Sequence, residues 1–360
     1  MKLRSICSEA IRNISSGTTH AFILMLAILS VSTLLGGYEA VSVVGLEQEA
    51  FARIHAKADV MTFVSENVDG EACDRLIEAE NGPSVAGAVR DGPQVTPLST
   101  PGKDLSSYEV TPGLVPLLMN NASTAAGDIS GIWVSSSVSQ DFGLIPGSIL
   151  ETDHGDTKIA NIFEWPNDGR DTRFAYALIV PSSSTQGWYD ECWAKTWPDN
   201  DGLKSLLYST GVPTGNIEAR VGVTKLNKGF DSHYSAYATY STRITRFAPW
   251  LGCAVGIFIG VFAVLRRRLE YAGALHCGQR KHAQLLGMLL ETCTWAGLGA
   301  TCSISIIVAY CARFACTDTT AVICGAIRSP IATFCGALFG VFTAGLFIRE
   351  SQLFRFFKQR

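Results

Sequence analysis

The sequence predicts an α-helical membrane protein with four transmembrane helices and a mixed α+β extracytoplasmic domain inserted between the first and second of them. Two observations predict this fold class. The 360 residues have a mean hydropathy of +0.21 with 17% charged residues, too apolar for an average soluble protein and too polar for a chain wholly within a bilayer. The apolar residues also fall into four blocks of about 19 to 25 residues, long enough for helices that cross a hydrocarbon core of about 30 Å.

The four predicted spans are residues 21–44, 247–265, 285–310 and 325–348. Basic residues cluster in the N-terminal segment 1–20, in the segment 266–284 between the second and third spans, and in the tail 349–360. The positive-inside rule places all three clusters in the cytoplasm. The segment 45–246 and the short loop 311–324 then lie outside. We therefore expect a multi-pass protein with both termini in the cytoplasm.

The charge of the large outer segment agrees with this orientation. Residues 45–246 contain 26 Asp and Glu against 15 Lys and Arg, whereas the remainder of the chain is basic. An acidic exterior and a basic inner face are typical of a plasma-membrane protein that contacts anionic lipids. A cleaved signal peptide is the alternative for the first span, but the apolar block is long and Gly36-Gly37-Tyr38-Glu39 is a poor cleavage site.

Each cytoplasmic or outer segment also has a local prediction. The N-terminal segment 1–20 alternates apolar and polar residues as an amphipathic helix on the inner leaflet does. In the outer domain, residues 58–65 read as a strand, and 70–80 as a helix with Asp69 as its N-cap. Further short strands follow residue 131. We expect residues 231–246 to form a helix continuous with the second span.

The chain lacks the motifs of an enzyme. It has no Walker A sequence to cradle ATP phosphates, no nucleophile elbow, no zinc-protease motif and no calcium-binding loop. Its six histidines are scattered, and no Cys or His cluster has metal-ligand spacing. We therefore expect no catalytic residue, no metal or cofactor bound by the chain itself, and no nucleic-acid partner.

Four of the eleven cysteines are predicted to lie outside the membrane, where disulfides form. Cys73 and Cys192 are the two in the large domain and could form a bridge. Cys311 and Cys316 flank the short outer loop and could form another. The sequence leaves both pairings open because it does not contain their geometry.

The segment 266–284, called the elbow below, has a pattern that charge alone does not explain. Glu270 follows Arg266 by four residues, which supports an exposed helical turn. Gly278 can adopt a left-handed conformation and reverse the chain. Arg280, Lys281 and His282 follow it. An ordinary positive-inside loop would account for the charges, but not for a helix–glycine–helix pattern.

This elbow resembles the signature of the MacB/FtsX-type permeases, the type VII or mechanotransmission ABC transporters. The family pattern is two basic residues, a Glu and an Ala, then a small–hydrophobic–Gly step, further basic residues and Leu-Leu-Glu. The matching residues are Arg267, Arg268, Glu270, Ala272, Gly278, Lys281, His282, Leu289, Leu290 and Glu291. The order of parts agrees along the whole chain, and residues 132–181 resemble the outer domain of the family.

The resemblance implies a permease subunit that exports or extracts an amphipathic substrate, such as a peptide, a drug, a lipid or haem. It implies a homodimer, or a heterodimer with a similar permease, surrounded by membrane lipids and bound to two copies of a separate ATPase that supplies ATP and Mg²⁺. The expected ATPase-coupling residues are Arg267, Arg268, Glu270, Gly278, Arg280, Lys281 and His282. The alternative is FtsX-like signalling across the membrane to a cell-wall hydrolase.

Three further residues are candidates within the spans. Tyr38 and Glu39 end the first span and could line a lateral path for substrate, although an interfacial Tyr is usually an anchor. Glu291 is an acid near the inner end of the third span. Such an acid is a functional candidate by default, and its shallow position predicts that it reaches the aqueous interface.

Overall fold

The computed structural model describes residues 3–119, 131–198, 200, 202–213, 221–232, 234–316 and 318–352. These residues form two compact units. The helical unit comprises Met1–Glu49 and Ala238–Arg360, and the outer unit comprises Ala50–Tyr237. Residues 45–49 and 238–246, which we predicted as part of the outer domain, thus group with the helical unit.

The strands lie in the outer unit, whereas the long helices lie wholly or mostly in the helical unit. The helices are α1 (Leu3–Ser15), α2 (Ala21–His55), α3 (Gly70–Asp74), α4 (Val115–Leu118), α5 (Ser136–Phe142), α6 (Gly202–Tyr208), α7 (Ala236–Thr242), α8 (Ala248–Arg266), α9 (Arg268–His276), α10 (Lys281–Phe314), α11 (Thr319–Ala326) and α12 (Arg328–Phe347). The strands are β1 (Val60–Asp69), β2 (Val85–Asp91), β3 (Ser106–Val110), β4 (Ile132–Ser135), β5 (Ile149–Thr152), β6 (Gly155–Phe163), β7 (Ala177–Pro181), β8 (Trp188–Lys195) and β9 (Gly222–Lys225).

Four helical segments are long and apolar enough to cross a membrane: Ala21–His55, Ile244–Arg266, Lys281–Phe314 and Thr319–Phe347. Each contains one predicted span or most of it. The 34 residues of α10 extend about 51 Å at 1.5 Å per residue, well beyond a hydrocarbon core of about 30 Å. The helix is therefore longer than a single crossing requires, and its N-terminal end forms the second arm of the elbow.

Glycines allow α8 and α12 to pack backbone against backbone. A Cβ atom on Gly256 would lie 2.2 Å from the carbonyl oxygen of Thr333, and one on Gly340 would lie 2.3 Å from that of Ile257. Small residues at such interfaces bring helices close in a membrane, where burial of apolar side chains adds little to association. The contacts advance in the same direction along both helices, so α8 and α12 are parallel.

The contacts of α10 set the direction of the other two long helices. Gly299 of α10 lies against Ile28 of α2, and Gly36 of α2 lies against Ile307, so α2 and α10 are parallel. Gly345 of α12 instead lies against Leu285 near the start of α10, so α12 and α10 are antiparallel. This alternation is what four successive spans require, and it brings α1, the elbow and the end of α12 to the same end of the helical unit.

The outer unit is built on a mixed sheet of nine strands. Their order is β5-β6-β4-β7-β3-β2-β8-β1-β9 in the described residues. The β3–β7 and β4–β6 pairs are parallel, whereas the other neighbours are antiparallel. The β8 strand lies between β1 and β2 and pairs with both. β8 therefore joins the β1–β9 pair to the other six strands of the sheet.

Two apolar cores cover the centre of this sheet. One is aromatic, with Trp165, Phe174 and Trp193 in mutual contact at centroid distances of 5.2–6.2 Å. The other contains the disulfide between Cys73 and Cys192, whose Cα atoms are 5.9 Å apart. The bridge joins α3 to β8 across 119 residues of sequence, which restricts the unfolded chain by closing a long loop.

Several local expectations differ from the structure. Asp69 does cap α3, accepting from the amides of Glu71 and Ala72, but the predicted helix 70–80 ends at Asp74 and continues only as a 3₁₀ turn. The sequence also predicts a strand over residues 217–224; residues 217–220 of it lie outside the described residues, and β9 begins at Gly222. The helix predicted over residues 231–246 forms only as α7 (Ala236–Thr242), and it is not continuous with the second span, because Arg243 leaves the helical conformation with ψ 135° before a 3₁₀ turn leads into α8.

The second candidate disulfide is also absent, because Cys311 and Cys316 are both free thiols. Cys311 is buried in α10 against α2 and α11, whereas Cys316 is exposed beyond the end of α10. The carboxylate of Glu47 accepts from the backbone amides of Cys316 and Asp318 at 3.1 Å each. The loop is therefore bound to α2 in a conformation that keeps the two sulfur atoms apart.

Candidate functional site

The elbow is a helical hairpin with a glycine turn. α8 ends at Arg266, Arg267 is a single non-helical residue with φ −104° and ψ 15°, and α9 begins at Arg268. Gly278 has φ +90°, and the amides of Gly278 and Gln279 donate to the carbonyls of Leu275 and Ala274 at 3.0 and 3.1 Å. This pair of bonds is a Schellman motif, which satisfies the last carbonyls of α9 and requires a left-handed residue at the glycine position.

A buried ionic cluster holds the two arms of the hairpin together. The Arg267 guanidinium donates from Nη1 to Glu291 Oε2 at 2.8 Å and from Nε to Glu270 Oε2 at 2.8 Å. It also lies 4.9 Å from the ring centroid of Tyr271. Arg267 is thus the junction of α8, α9 and α10, and the expected i,i+4 pair of Glu270 with Arg266 is replaced by an i,i+3 pair with Arg267.

Burial and charge act in opposite directions on this cluster. Burial by itself favours neutral Arg267, but Tyr271, Glu270 and Glu291 outweigh it and raise the pKa of Arg267 above its ordinary value. Burial also raises the pKa of the Tyr271 hydroxyl. Arg267 therefore stays charged and Tyr271 stays neutral across the physiological pH range.

The N-terminal helix packs onto the second arm of the hairpin. Ile6 and Ala10 of α1 are buried, and Asn13 Nδ2 donates to Glu291 Oε1 at 2.8 Å. Both oxygens of Glu291 are therefore used inside the unit, and its exposed fraction is only 7%. The expectation that Glu291 reaches the aqueous interface is wrong, because Arg267 and Asn13 supply the donors that water would have provided.

The end of α12 is bound to the same hairpin. Lys281 Nζ donates to the carbonyl oxygen of Ile348, and His276 Nδ1 lies 2.9 Å from Glu350 Oε1. The first of these contacts is partly buried, whereas the second is exposed. Together with Asn13, these residues join α1 and the C-terminal segment to one elbow.

The seven predicted coupling residues thus divide into two groups. Arg267, Gly278 and Lys281 shape the elbow from within. Arg280 and His282 are exposed at the start of α10, and Glu270 is exposed on one side of its ion pair. Arg268 lines an apolar groove of about 390 Å³ with Leu265 and Phe347. A partner that docks on the elbow would meet the tip and the first turn of α10, so the recognition surface is smaller than the sequence pattern indicates.

Tyr38 and Glu39, the two candidates for a substrate path, differ in exposure. Tyr38 is 67% exposed, whereas Glu39 is 4% exposed. Glu39 Oε1 accepts from Arg243 Nη2 at 3.0 Å and from Nε at 3.2 Å. This pair binds α2 to the segment that leads into α8, and Glu39 Oε2 is buried without a hydrogen-bond partner among the described residues.

Sequence patterns did not indicate Asn13, Tyr271 or Gln284 as parts of the site. Asn13 and Glu291 are 278 residues apart, and no local pattern relates them. Gln284 Nε2 donates to the Tyr271 carbonyl oxygen at 2.7 Å, across the hairpin turn. A polar residue on the buried face of an otherwise apolar stretch is the signal that could have identified Gln284.

The outer unit has a second group of buried charges. Lys57 has φ +56° and is 7% exposed, and burial together with the charges of Lys195 and Arg170 lowers its pKa to about 8. Burial raises the pKa of Asp59, whose Oδ2 lies 3.7 Å from Lys195 Nζ. Arg170 is bound to Asp168 and donates to the His55 carbonyl oxygen at 3.1 Å, so this group ties the end of α2 into the sheet.

No group of three or more His, Cys, Asp or Glu side chains is arranged to hold a metal ion in the part of the chain that the structure describes. The four helices of membrane-spanning length and apolar composition indicate a membrane protein that also has a mixed α/β unit.

Comparison with known proteins adds a distant likeness. No protein-family model and no curated protein sequence matches the chain. Among solved structures, the chain is similar to the crystal structure of "a domain of a putative Permease protein" from Porphyromonas gingivalis, with a TM-score of 0.35 and 12% identity over 50% of this chain and 95% of that one. A likeness this weak carries no argument about function.

Proposed function

We propose that this chain is the permease subunit of an ATP-driven transporter of the MacB/FtsX type in the plasma membrane. In this proposal a separate ATPase binds the elbow from the cytoplasm and supplies ATP hydrolysis. Two permease subunits pair and move an amphipathic substrate out of the membrane or across it. The chain itself is not an enzyme.

One observation carries the proposal. The elbow consists of the short capped helix α9, the glycine turn and the first residues of α10, and α10 as a whole runs unbroken for 34 residues. A force applied at the tip acts directly on α10, because no break separates the turn from the membrane-length segment. Arg267 binds the elbow to Glu291 of α10, Asn13 binds α1 to the same carboxylate, and Lys281 binds the elbow to the end of α12. Displacement of the elbow would therefore move every element at this end of the unit.

The surface chemistry supports an acidic or polar partner surface. His276, Arg280 and His282 are exposed on the two sides of the Gly278 turn. None of the apolar residues that would anchor the elbow in lipid lies at this tip, since the exposed residues there are polar, Cys277 and Gly278. A tip of this kind is suited to a protein partner and not to insertion in the bilayer.

The test is co-purification of a nucleotide-binding ATPase with the full-length chain from the native membrane. The double variant Arg280→Glu with His282→Glu reverses the exposed charge and leaves the Lys281 contact intact. We expect it to abolish recovery of the ATPase. The matched control is Arg313→Glu, an exposed charge reversal at the opposite end of the same helix, which should leave recovery unchanged.

Three results would argue against the proposal. ATPase recovery by the double variant equal to that of the parent chain would remove the elbow as the docking surface. Recovery of no ATPase by the parent chain would contradict the transporter class. Recovery of the ATPase together with a cell-wall hydrolase, and no movement of lipid or peptide in reconstituted vesicles, would favour the signalling alternative.

A further inference from the structure

A polar cavity of about 220 Å³ lies between α1 and the elbow hairpin. Arg267, Gln284 and Glu291 line its inner part, and Glu9 of α1 and Glu270 of α9 line its outer part. An engineered cavity of ~150 Å³ already holds a benzene molecule. The cavity is therefore large enough for a small organic group, and its lining is polar where that of an ordinary packing defect is apolar.

The lining has more negative than positive charge. Glu9, Glu270 and Glu291 contribute carboxylates, and Arg267 contributes the guanidinium. This one guanidinium is shared between Glu270 and Glu291 at 2.8 Å each, so it does not neutralise all three acids. The carboxylate of Glu270 is more than half exposed and can accept further donors. An occupant with positive charge would balance the lining.

An unpartnered acceptor lies in the same lining. Gln284 is 4% exposed, and its Nε2 is used by the Tyr271 carbonyl oxygen. Its Oε1 has no hydrogen-bond partner among the described residues. A buried acceptor without a donor is destabilising because it has lost its bonds to water. A ligand that brings an N–H group into the cavity would remove this cost.

The chemistry of the lining selects an organic cation. Among the residues that the structure describes, these carboxylates do not form a cluster that could hold a metal ion. An anion would face three acids. A primary ammonium or a guanidinium group carries the required charge and only donates hydrogen bonds, which matches a lining of carboxylate and amide acceptors.

We propose that this cavity is a binding site for an organic cation, with its ammonium or guanidinium group donating to Gln284 Oε1 and pairing with Glu9 and Glu270. Because the cavity is bounded by α1, α9 and α10, a bound cation stabilises the packing of α1 on the elbow. The group can come from a free amine in solution or from the headgroup of phosphatidylethanolamine. This site does not depend on the proposed ATPase partner.

The key variant is Gly287→Leu. Gly287 lines the cavity, and a Cβ atom there would meet only Ile6 Cγ2 at 3.8 Å, an ordinary contact. The leucine side chain would fill the cavity without displacing backbone. The matched control is Gly273→Leu, a helical glycine of α9 with no atom within 4 Å of its Cβ position. Both changes favour helix formation, so neither should unfold the elbow.

The purified full-length chain is titrated with spermidine by calorimetry in detergent, and its bound lipid is measured after extraction from membranes that contain both phosphatidylethanolamine and phosphatidylcholine. We expect the parent chain and Gly273→Leu to bind spermidine or to retain phosphatidylethanolamine selectively, and Gly287→Leu to do neither. A second variant, Glu9→Gln, should weaken binding of the preferred probe about tenfold, as loss of a charge-assisted contact does.

Each outcome has one meaning. Binding of spermidine that Gly287→Leu abolishes supports the site with a free amine as ligand. Selective retention of phosphatidylethanolamine that the same variant abolishes supports the site with the lipid as ligand. The proposal is overturned if the parent chain shows neither behaviour, or if Gly287→Leu behaves as the parent does.

Discussion

Replacement of Arg267 by methionine should lower the free energy of unfolding of the helical unit by about 3 kcal/mol. The side chains of Arg267 and Glu291 are 10% and 9% exposed, and the guanidinium contacts both Glu270 and Glu291 at 2.8 Å. Removal of one member of a buried ion pair costs about 3–5 kcal/mol because it leaves the other charge unpaired. The lower end applies here, since Glu291 keeps its bond from Asn13 and borders a polar cavity.

The assay is a double-mutant cycle on the full-length chain, unfolded with denaturant in mixed micelles. Glu291→Met should be destabilising for the same reason as Arg267→Met. The double variant should lose about 1–3 kcal/mol less than the sum of the two single variants, because neither charge is then left unpaired. The matched control, Arg266→Met at an exposed position, should change stability by no more than about 0.5 kcal/mol.

This reasoning would be refuted if the stability lost by the double variant equalled the sum of the losses in the two single variants. Such additivity would mean that Arg267 and Glu291 stabilise the unit independently and that the pair is not coupled. A loss in Arg266→Met equal to that in Arg267→Met would also refute it, since the effect would then reflect the total charge of the elbow and not the buried pair.

Two further predictions concern the helix interface and the outer unit. Gly256→Leu should lower the free energy of unfolding by about 1–3 kcal/mol through overpacking, because its Cβ atom would lie 2.2 Å from the Thr333 carbonyl oxygen. The control Gly325→Leu, which has no atom within 4 Å of the Cβ position, should leave stability unchanged. Equal effects of the two variants would contradict the close approach of α8 and α12. The pKa of Lys57 is lowered from 10.5 to about 8 in the folded outer unit. Between these two pH values the unfolded chain binds more protons than the folded one, so the outer unit should become more stable as the pH rises from about 8 to 10.5. Lys57→Met should flatten this pH dependence of denaturant unfolding, and an unchanged slope would assign it to another group.

Local patterns were informative where a residue acts through its own backbone or its near neighbours. Gly278 was identified as the turn of the elbow because only glycine adopts φ +90° without a steric cost, and its bonding partners lie within five residues. Asp69 was identified as a cap for the same reason, since it accepts from residues two and three positions ahead. Such features are encoded within one turn of chain.

The β8 strand shows where local patterns fail. Its sequence places Asp190 and Glu191 beside Cys192 and Trp193, and four consecutive residues from Glu191 are buried. Alternation is lost because both faces of this central strand are covered. Glu191 is tolerated there only because Arg173 donates both to its Oε1 at 2.8 Å and to its Oε2 at 2.7 Å, and Trp193 Nε1 donates at 2.6 Å. The eight residues of β8 contain no pattern that predicts Arg173, which lies 18 residues from Glu191 in the sequence, as the partner of this acid.

The pairing of cysteines makes the same distinction. The two outer pairs were equally open from the sequence, yet Cys73 and Cys192 are bridged while Cys311 and Cys316 are free. Sequence separation does not predict the pairing, because Cys73 and Cys192 are brought together by α3 and β8, which share one core. The near pair is kept apart by a helix that buries one sulfur and a loop that exposes the other.

The amino-acid order alone determined the four apolar segments, the acidic inserted unit and the hinge at Gly278, because hydropathy, net charge and glycine backbone preference are properties of short stretches. Only the tertiary structure decided that Arg267 and not Arg266 joins the elbow, that Glu291 faces inward, and that a negative cavity lies beneath α1. Those outcomes depend on which side chains from distant segments share a desolvated volume, where a charge must find a partner or pay the full cost of leaving water.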